Sequence, residues 1–216
     1  MSKDRLARAR RQEARARRQE ARARRQEARD CARLVRERLG RRRAGHCRRT
    51  ASLASRLARR FGLDRGRAYL AGLAHDLARE LPEAELLRLS AEDGAPLQSW
   101  ETERPVLLHG RAAAVLLGPA FDQGVREAVA DHVTGRPGMS ALARLVYAAD
   151  FLEPGRGFLK PAERRRVLGL ALDEQVAWVA DRVFEHLRGE GLAIAPPALA
   201  LSEELKGHAA TQAQVG

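Results

Sequence analysis

The chain has 216 residues, of which 44% are hydrophobic and 31% charged, enough for one domain with a buried core. It contains no run of about 18 apolar residues, so no membrane span is expected. The formal net charge is +12, and residues 1–30 carry +7 of it, with 12 Lys or Arg against 5 Asp or Glu. The two cysteines, Cys31 and Cys47, have the spacing of neither a disulfide framework nor a zinc knuckle, so a reducing, cytoplasmic location is expected.

The N-terminal segment is an internal repeat, in which ARARRQE occurs at residues 7–13, 14–20 and 21–27. Its residues are good helix formers, and Glu13 and Arg17 stand four apart, a spacing that supports a solvated helix. No seam of Leu or Ile runs along the repeat, so no coiled coil is predicted. We therefore interpret residues 1–37 as a charged helical extension. Nonspecific contact of residues 1–30 with nucleic acid or the ribosome is the functional alternative, because Arg clusters attract phosphate backbones.

The rest of the chain reads as a series of amphipathic helices separated by Gly, Pro and capping residues. Period-2 alternation with β-branched residues is absent, so the fold class predicted is all-α. Asp64, Asp122 and Ser140 are the expected N-caps, and residues 90–103 are expected to form a loop. The helices are predicted over residues 45–61, 64–78, 82–89, 105–117, 122–133, 140–152 and 161–188, the last with an interruption near residues 172–173.

Six histidines differ in their surroundings. Taken singly, each is more commonly a surface or core histidine than a ligand. His186 is expected in the last turn of a helix, where the helix dipole favours a cation, and His208 lies in a polar segment. The other four each lie within or at the end of a different apolar helix: His46, His75, His109 and His132.

Two aspartates, Asp76 and Asp150, also lie in apolar helical segments, where a carboxylate needs a partner. Adjacent helical residues point about 100° apart, so His75 and Asp76 could reach one ion in the groove between them. A bundle that brings both together with His46 and Asp150 supplies four N/O ligands. With no thiolate in this set, the ions favoured are iron, manganese, cobalt and zinc.

The order H…HD…D resembles that of the HD-domain metal-dependent phosphohydrolases. The resemblance becomes specific through Arg43-x-x-His46, HDLAREL at 75–81, LLHG at 107–110, HVTGRPGMS at 132–140 and YAADFLEPGR at 147–156. Over roughly residues 38–200 the chain is similar to the YqeK-type hydrolases, which split diadenosine tetraphosphate symmetrically into two ADP. The resemblance implies an HD-domain helical bundle over residues 38–205, followed by a polar tail over 206–216.

The same resemblance implies roles for individual residues. One divalent ion, with iron the expected metal, would be held by His46, His75, Asp76 and Asp150. His109 and His132 would bind a second metal bridged through Asp76, or contact phosphate. Asp76 would be the catalytic residue, together with a metal-activated water that attacks phosphorus. The substrate-binding residues implied are Arg43, Arg79, Thr134, Gly135, Arg136, Arg156, Ile194 and Pro196.

Several alternatives stay open at this point. Ala44 and Gly45 stand where family members usually have an aromatic residue before the first ligand histidine, which leaves the nucleotide preference open. The alternative functions are hydrolysis of another nucleotide and an RNA- or ribosome-associated role through the basic segment. The expected partners are a dinucleoside polyphosphate, nonspecific nucleic acid at residues 1–30, and a second copy of the chain in a homodimer.

Overall fold

A computed structural model describes residues 3–215, with side chains for residues 11–208 except those at positions 17, 20 and 21. The described residues form α-helices, short 3-10 turns and loops, without strands, so the all-α prediction is confirmed. The α-helices are α1 (Lys3–Arg38), α2 (Arg41–Arg60), α3 (Arg65–Ala74), α4 (Glu83–Ser90), α5 (Ser99–Glu103), α6 (His109–Leu117), α7 (Gln123–Asp131), α8 (Ala141–Leu152), α9 (Pro161–Leu168), α10 (Leu172–Gly189) and α11 (Pro196–Val215).

Helix α1 runs through the repeat and on to the body of the protein. Most described side chains of residues 11–27 are exposed, whereas Cys31 and Val35, one turn apart, are buried in the core. Arg24 forms a 2.6 Å ion pair with Asp64, which caps α3. The C-terminal part of α1 therefore packs as part of the core, while the described side chains of residues 11–26 are solvated.

A close crossing of α2 and α3 sets the position of the site. A Cβ atom at Gly72 would lie only 2.9 Å from the Cα of Ala51, so only glycine allows this approach. A similar crossing joins α6 and α7, where a Cβ at Gly110 would lie 2.7 Å from the carbonyl oxygen of Ala130. Both glycines lie close in sequence to site histidines, Gly72 three residues before His75 and Gly110 directly after His109.

Three predicted helix boundaries near the site are wrong. Helix α3 ends at Ala74 and not at Ala78, because i→i+3 turns follow, with Leu77 N–H donating to Ala74 O at 2.9 Å. Helix α7 ends at Asp131, two residues before the predicted Val133. The predicted helix over 105–117 is divided into a 3-10 turn over Pro105–Leu108 and α6.

The remaining segments agree with the predictions in part. The interruption near residues 172–173 is confirmed as the break between α9 and α10. The predicted loop over 90–103 contains a 3-10 turn, Ala91–Asp93, and α5, so that prediction is wrong in part. Most of the segment predicted as a polar tail lies in α11, which buries Leu201 and Leu205; Gly216 is outside the described residues. The domain boundaries at 37/38 and 205/206 stay a prediction.

Within the described part of the chain, no helix has the length and apolar character needed to cross a membrane.

Candidate metal centre

Six side chains from five parts of the fold meet at one place. One lies within α2, two follow α3, one begins α6, one follows α7 and one lies near the end of α8. All are buried except the last, which is half-buried. In that order they are His46, His75, Asp76, His109, His132 and Asp150. The structure therefore brings together all six residues for which the sequence implied metal binding.

The first group surrounds His46. Its Nε2 lies 2.8 Å from Asp150 Oδ1, 3.1 Å from His75 Nε2 and 3.6 Å from Asp76 Oδ2. His75 Nε2 lies 3.5 Å from Asp76 Oδ2 and 3.4 Å from Asp150 Oδ1. Two imidazole nitrogens and two carboxylate oxygens are thus directed at one small volume.

The second group consists of His109 and His132, which lie near the other carboxylate oxygen of Asp76, Oδ1. Oδ1 lies 3.3 Å from His109 Nε2 and 3.8 Å from His132 Nε2. The imidazole rings of His75 and His132 stand edge to face with centroids 4.9 Å apart, so the two groups are continuous. Asp76 therefore stands between the groups and offers one oxygen to each.

The hydrogen bonds of the Nδ1 atoms determine how the rings present their other nitrogens. Nδ1 of His75, His109 and His132 donates to the backbone oxygen three residues earlier, at 2.8, 2.6 and 2.7 Å. A carbonyl oxygen can only accept, so Nδ1 carries the proton and Nε2 of the neutral ring has a free lone pair. Such a bond to the outer nitrogen is typical of metal-binding histidines.

The donor set fits a divalent cation. Lone pairs of several Nε2 atoms and the oxygens of two carboxylates lie close together, an arrangement that needs a proton or a cation between them. Burial lowers the pKa of His75, but Asp76 and Asp150 outweigh it and raise that pKa well above its usual value. Burial raises the pKa of Asp76, but His75, His109 and His132 hold it well below its usual value. Three sets of three of these residues have donor atoms within 4.8 Å of one another, as a shared ion requires.

Arginines cover the outer side of the centre. Nη1 of Arg43 lies 2.8 Å from Asp76 Oδ2, and Nη2 of Arg156 lies 2.6 Å from Asp150 Oδ1. Both arginine side chains are about 30% exposed, so they also reach solvent. They line a cavity of about 360 Å³ that reaches His46; we call it the arginine cavity, and its cationic residues are Arg42, Arg43, Arg49 and Arg156.

Glu153 belongs to this site although the sequence analysis did not assign it a role. It is 1% exposed, and its Oε1 accepts from His46 Nδ1 at 3.1 Å. Arg49 Nε donates to its Oε2 at 2.7 Å, and the backbone N–H of Gly155 donates to the same oxygen at 2.6 Å. Burial raises the pKa of Glu153, but these donors outweigh it and lower that pKa below its usual value.

Other residues implied as substrate-binding lie outside the cluster. Arg136 is exposed, and its Nε donates to Asp131 at 2.9 Å. Gly135 has φ of +67°, and a Cβ there would lie 2.5 Å from Leu201 in α11, so its need for glycine is explained by backbone and packing. Thr134 before it is half-buried.

Among the residues described, no side-chain ion pair or side-chain hydrogen bond ties three further residues implied as substrate-binding to the centre; the backbone N–H of Arg79 donates to the Asp76 carbonyl oxygen at 2.8 Å. Arg79 is half-buried beyond Asp76. Ile194 packs in a small apolar cluster with Ala180, Phe184 and Ala198. Pro196 is exposed at the start of α11. Their substrate roles stay predictions.

Comparison with known proteins connects this geometry to a family. The family model of the HD domain matches residues 43–155, about half of the chain. The chain belongs to the HD-domain family. The match begins at Arg43 and includes the six residues of the cluster and Glu153.

Relatives of known name support the finer resemblance. The symmetrical bis(5'-nucleosyl)-tetraphosphatase of Bacillus subtilis (strain 168) is 31% identical over 143 residues, which is 65% of this chain and 76% of that protein. The protein of the same name from Staphylococcus aureus is 33% identical over 129 residues, covering 57% of this chain and 65% of that one. The YqeK-type resemblance read from the HD-domain motifs is therefore confirmed.

A solved structure has the same HD fold. It is described as a predicted HD superfamily hydrolase involved in NAD metabolism from Clostridium acetobutylicum. It superposes with a TM-score of 0.78 at 28% sequence identity and covers 83% of this chain and 96% of that one. The predicted HD-domain helical bundle is confirmed by this likeness.

Proposed function

We propose that this HD-domain protein is a symmetrical bis(5'-nucleosyl)-tetraphosphatase that hydrolyses diadenosine tetraphosphate into two ADP. The observation that carries the proposal is the cluster of four imidazoles and two carboxylates beside an arginine-lined cavity, in a chain whose relatives have that name. In the reaction, water adds to one of the two central phosphorus atoms. The bond from that phosphorus to the oxygen bridging the central pair breaks, and the bridging oxygen leaves with the second ADP.

The residues of the chain divide the work between holding cations and holding phosphate. His46, His75, Asp76 and Asp150 would hold one divalent ion, and His109 and His132 with Asp76 would hold a second or contact phosphate. A bound divalent ion neutralises phosphate charge and lowers the pKa of water toward neutrality. Asp76 has a strongly lowered pKa, so it stays ionised and acts in catalysis through its charge.

The arginine cavity accounts for binding of the polyphosphate. A guanidinium group presents a planar fork of donors that matches two phosphate oxygens, and it keeps its charge at any physiological pH. Arg43 and Arg156 each touch one carboxylate of the centre while remaining partly exposed. A phosphate chain in this cavity would therefore lie directly beside the metal ligands.

Product analysis tests the reaction. With metal-loaded protein and diadenosine tetraphosphate, we expect ADP as the only nucleotide product, and chelation of the metal should stop its formation. Formation of AMP and ATP, or absence of turnover with each of iron, manganese, cobalt and zinc, would contradict the proposal. Deoxynucleoside mono- and triphosphates belong in the same assay, because faster turnover of one of them would support hydrolysis of another nucleotide.

Iron is the metal we propose for the site. Imidazole and carboxylate donors without a thiolate suit iron, manganese, cobalt and zinc, so the donor set alone does not choose among them. Metal analysis of the purified protein and restoration of the metal-free protein with each ion would test the choice. Two equivalents of metal per chain would support binding at both oxygens of Asp76, and one equivalent would support phosphate contact by His109 and His132.

We also propose nonspecific nucleic-acid contact by residues 1–30. The support is a helix that exposes many guanidinium groups, including Arg11, Arg15, Arg18, Arg22 and Arg25. Replacing those five by Gln in the full chain should weaken RNA binding and reduce its salt dependence, while hydrolysis of the dinucleotide stays unchanged. RNA binding that is absent from both proteins would remove this proposal.

We also propose that the protein forms a homodimer and is located in the cytoplasm. Cys31 and Cys47 are both free and buried, which suits a reducing compartment. Burial raises the pKa of the Cys31 thiol to about 12, so this thiol is inert at neutral pH. The mass of the protein in solution would test the dimer, and cell fractionation would test the location.

A further inference from the structure

The loop between α8 and α9, residues 153–160, holds Arg156 beside the metal centre; we call it the Arg156 loop. Inside the loop, the backbone N–H of Arg156 donates to the carbonyl oxygen of Glu153 at 3.1 Å. The side chain of Arg156 reaches out of the loop to Asp150, with Nε donating to the carbonyl oxygen and Nη2 to Oδ1. The direction of this guanidinium group therefore depends on the path of the loop backbone.

Two glycines make the path of this backbone costly to fix. Gly155 and Gly157 stand on either side of Arg156, and glycine loses more conformational freedom on folding than any other residue. On one side, the backbone N–H of Gly155 donates to the Glu153 carboxylate at 2.6 Å. On the other side, Gly157 and Phe158 are both exposed. The second half of the loop therefore needs a contact from outside the loop.

Arg164 of α9 supplies that contact. Its Nη2 donates to the carbonyl oxygen of Arg156 at 2.8 Å and to the carbonyl oxygen of Leu159 at 3.3 Å. Leu159 is buried, so the two acceptors lie at the middle of the loop and at its anchored end. One guanidinium group therefore joins both points of the loop to α9.

The surroundings of Arg164 are unusual for a cation that only stabilises the fold. It is half-buried, and within the described part of the chain no carboxylate pairs with it. Its Nε is buried without a hydrogen-bond partner, which costs free energy. Arg49 and Arg156, by contrast, each pair with a carboxylate. A side chain that breaks the local rules in this way is expected at a functional site.

We propose that Arg164 is a positioning residue, which holds the Arg156 loop so that the guanidinium group of Arg156 faces Asp150 and the arginine cavity. The inference rests on the proposed function in taking Arg156 as a phosphate contact. Arg164 does not line the arginine cavity, so it acts through Arg156 and not on the substrate itself. Without Arg164 the loop occupies more conformations, the competent one is a smaller fraction of them, and phosphate binds more weakly.

Titration calorimetry of the full-length, metal-loaded protein with inorganic pyrophosphate tests this role. Arg164→Met removes the donors and keeps a long side chain. We expect the Kd of pyrophosphate to rise about two- to ten-fold, the equivalent of one net hydrogen bond. Metal affinity should stay within about two-fold of wild type, because no proposed metal ligand is altered. Arg165→Met, at the exposed arginine next to it in α9, is the matched control and should leave both values unchanged.

A double-mutant cycle with Arg156 separates positioning from a general structural role. If Arg164 acts through Arg156, then Arg164→Met in an Arg156→Lys background should change the Kd by less than about two-fold. Arg164→Lys keeps the charge and can donate to one carbonyl oxygen, so its Kd should lie between those of wild type and Arg164→Met. If Arg164→Met does not fold, the same cycle with Arg164→Lys decides. The proposal is overturned if the substitution leaves the Kd unchanged, or raises it equally in both backgrounds.

Steady-state hydrolysis separates this inference from the proposed function. For Arg164→Met we expect KM for diadenosine tetraphosphate to rise about two- to ten-fold, with kcat within about two-fold of wild type. If wild type hydrolyses the dinucleotide and Arg164→Met leaves both KM and the pyrophosphate Kd unchanged, the positioning role is wrong and the function stands. If wild type does not hydrolyse it, yet the pyrophosphate cycle shows coupling between Arg164 and Arg156, the function is wrong and the positioning role stands.

Discussion

The Nδ1 atom of His46 lies 3.1 Å from Oε1 of Glu153, and this carboxylate is buried at the end of α8. Glu153 is the acceptor that fixes the His46 ring with Nε2 directed at Asp150. For the other three histidines of the centre, a backbone carbonyl oxygen is the acceptor that fixes the ring. Glu153 is therefore a positioning residue, and Arg49 in turn holds its second oxygen.

We expect Glu153→Ala to lower metal affinity about 10- to 100-fold, the usual cost of removing a partner of a metal-binding histidine. Glu153→Gln should cost less, because its amide oxygen can still accept from His46. Metal titration of the purified variants measures both values without relying on turnover. Glu85→Ala, which removes a half-buried carboxylate paired with Arg88 on α4 away from the centre, is the matched control. Wild-type metal affinity in Glu153→Ala would contradict the positioning role.

Asp76 offers one oxygen to each group of histidines, so its loss should affect the centre more than the loss of Glu153. Asp76→Asn keeps the volume and removes the charge. Removing a residue that only orients a metal ligand lowers metal affinity or activity about 10- to 100-fold. Because Asp76 is itself one of the proposed ligands, we expect metal affinity and hydrolysis to fall by more than about 100-fold in Asp76→Asn. Metal analysis and ADP formation measure these effects. Asp173→Asn, at an ion pair with Arg144 away from the centre, should behave as wild type; wild-type turnover in Asp76→Asn would exclude the metal site as the catalytic centre.

The beginnings of three helices could be predicted from the sequence because side-chain caps act locally, whereas α2, which has no side-chain cap, begins at Arg41 and not at the predicted residue 45. Asp64 accepts from the backbone N–H of Gly66 and Arg67, Asp122 from that of Val125, and Ser140 from that of Ala143, as predicted. Helix ends near the site could not be predicted in this way. The segment after Ala74 has good helix-forming residues, yet the chain turns there and directs both His75 and Asp76 inward, because contacts with other helices outweigh local propensity.

The candidate ligands could also be found from the sequence, since buried imidazoles and carboxylates need partners. Glu153 was missed, although one signal was present: a carboxylate at a helix C-terminus is disfavoured by the helix dipole. Its position at the C-cap of α8 therefore needs compensating donors, which Arg49 and Gly155 supply. The need for glycine at position 72 could not be predicted either, because it depends on the distance between α2 and α3, which the sequence does not give.

Substitution of Arg156 tests whether the arginine cavity binds phosphate. Its Nη2 contacts Asp150 Oδ1 and its Nε donates to the Asp150 carbonyl oxygen at 3.1 Å. Arg156→Lys keeps one charge but loses the fork, so we expect KM for diadenosine tetraphosphate to rise roughly ten-fold. Steady-state kinetics measures this change, and Arg88→Lys on the exposed face of α4 is the control.

A parallel metal titration distinguishes two roles for Arg156. If the residue binds phosphate, metal affinity in Arg156→Lys should stay within about two-fold of wild type. If it serves only to hold Asp150, metal affinity falls and the KM effect follows from that loss. An unchanged KM would exclude the phosphate contact.

The N-cap of α3 provides a prediction about stability. Asp64 accepts from two backbone N–H groups and pairs with Arg24 of α1, so it joins the repeat-bearing helix to the body. Burial raises the pKa of Asp64, but these donors and Arg24 outweigh it and lower that pKa below its usual value. We expect Asp64→Ala to reduce the free energy of unfolding by about 1 kcal/mol at pH 7, the usual value for an N-cap.

This difference should depend on pH in a defined direction. Because the pKa of Asp64 is lower in the folded than in the unfolded chain, its stabilisation is present above the unfolded pKa of about 3.9 and is lost as the pH falls through the folded pKa. Urea unfolding should therefore show a gap between wild type and Asp64→Ala that narrows as the pH falls below about 4. Asp30→Ala, at a half-buried residue later in α1, should stay within about 0.5 kcal/mol of wild type. A gap for Asp64→Ala that persists unchanged into acid would mean that the carboxylate is not the stabilising group.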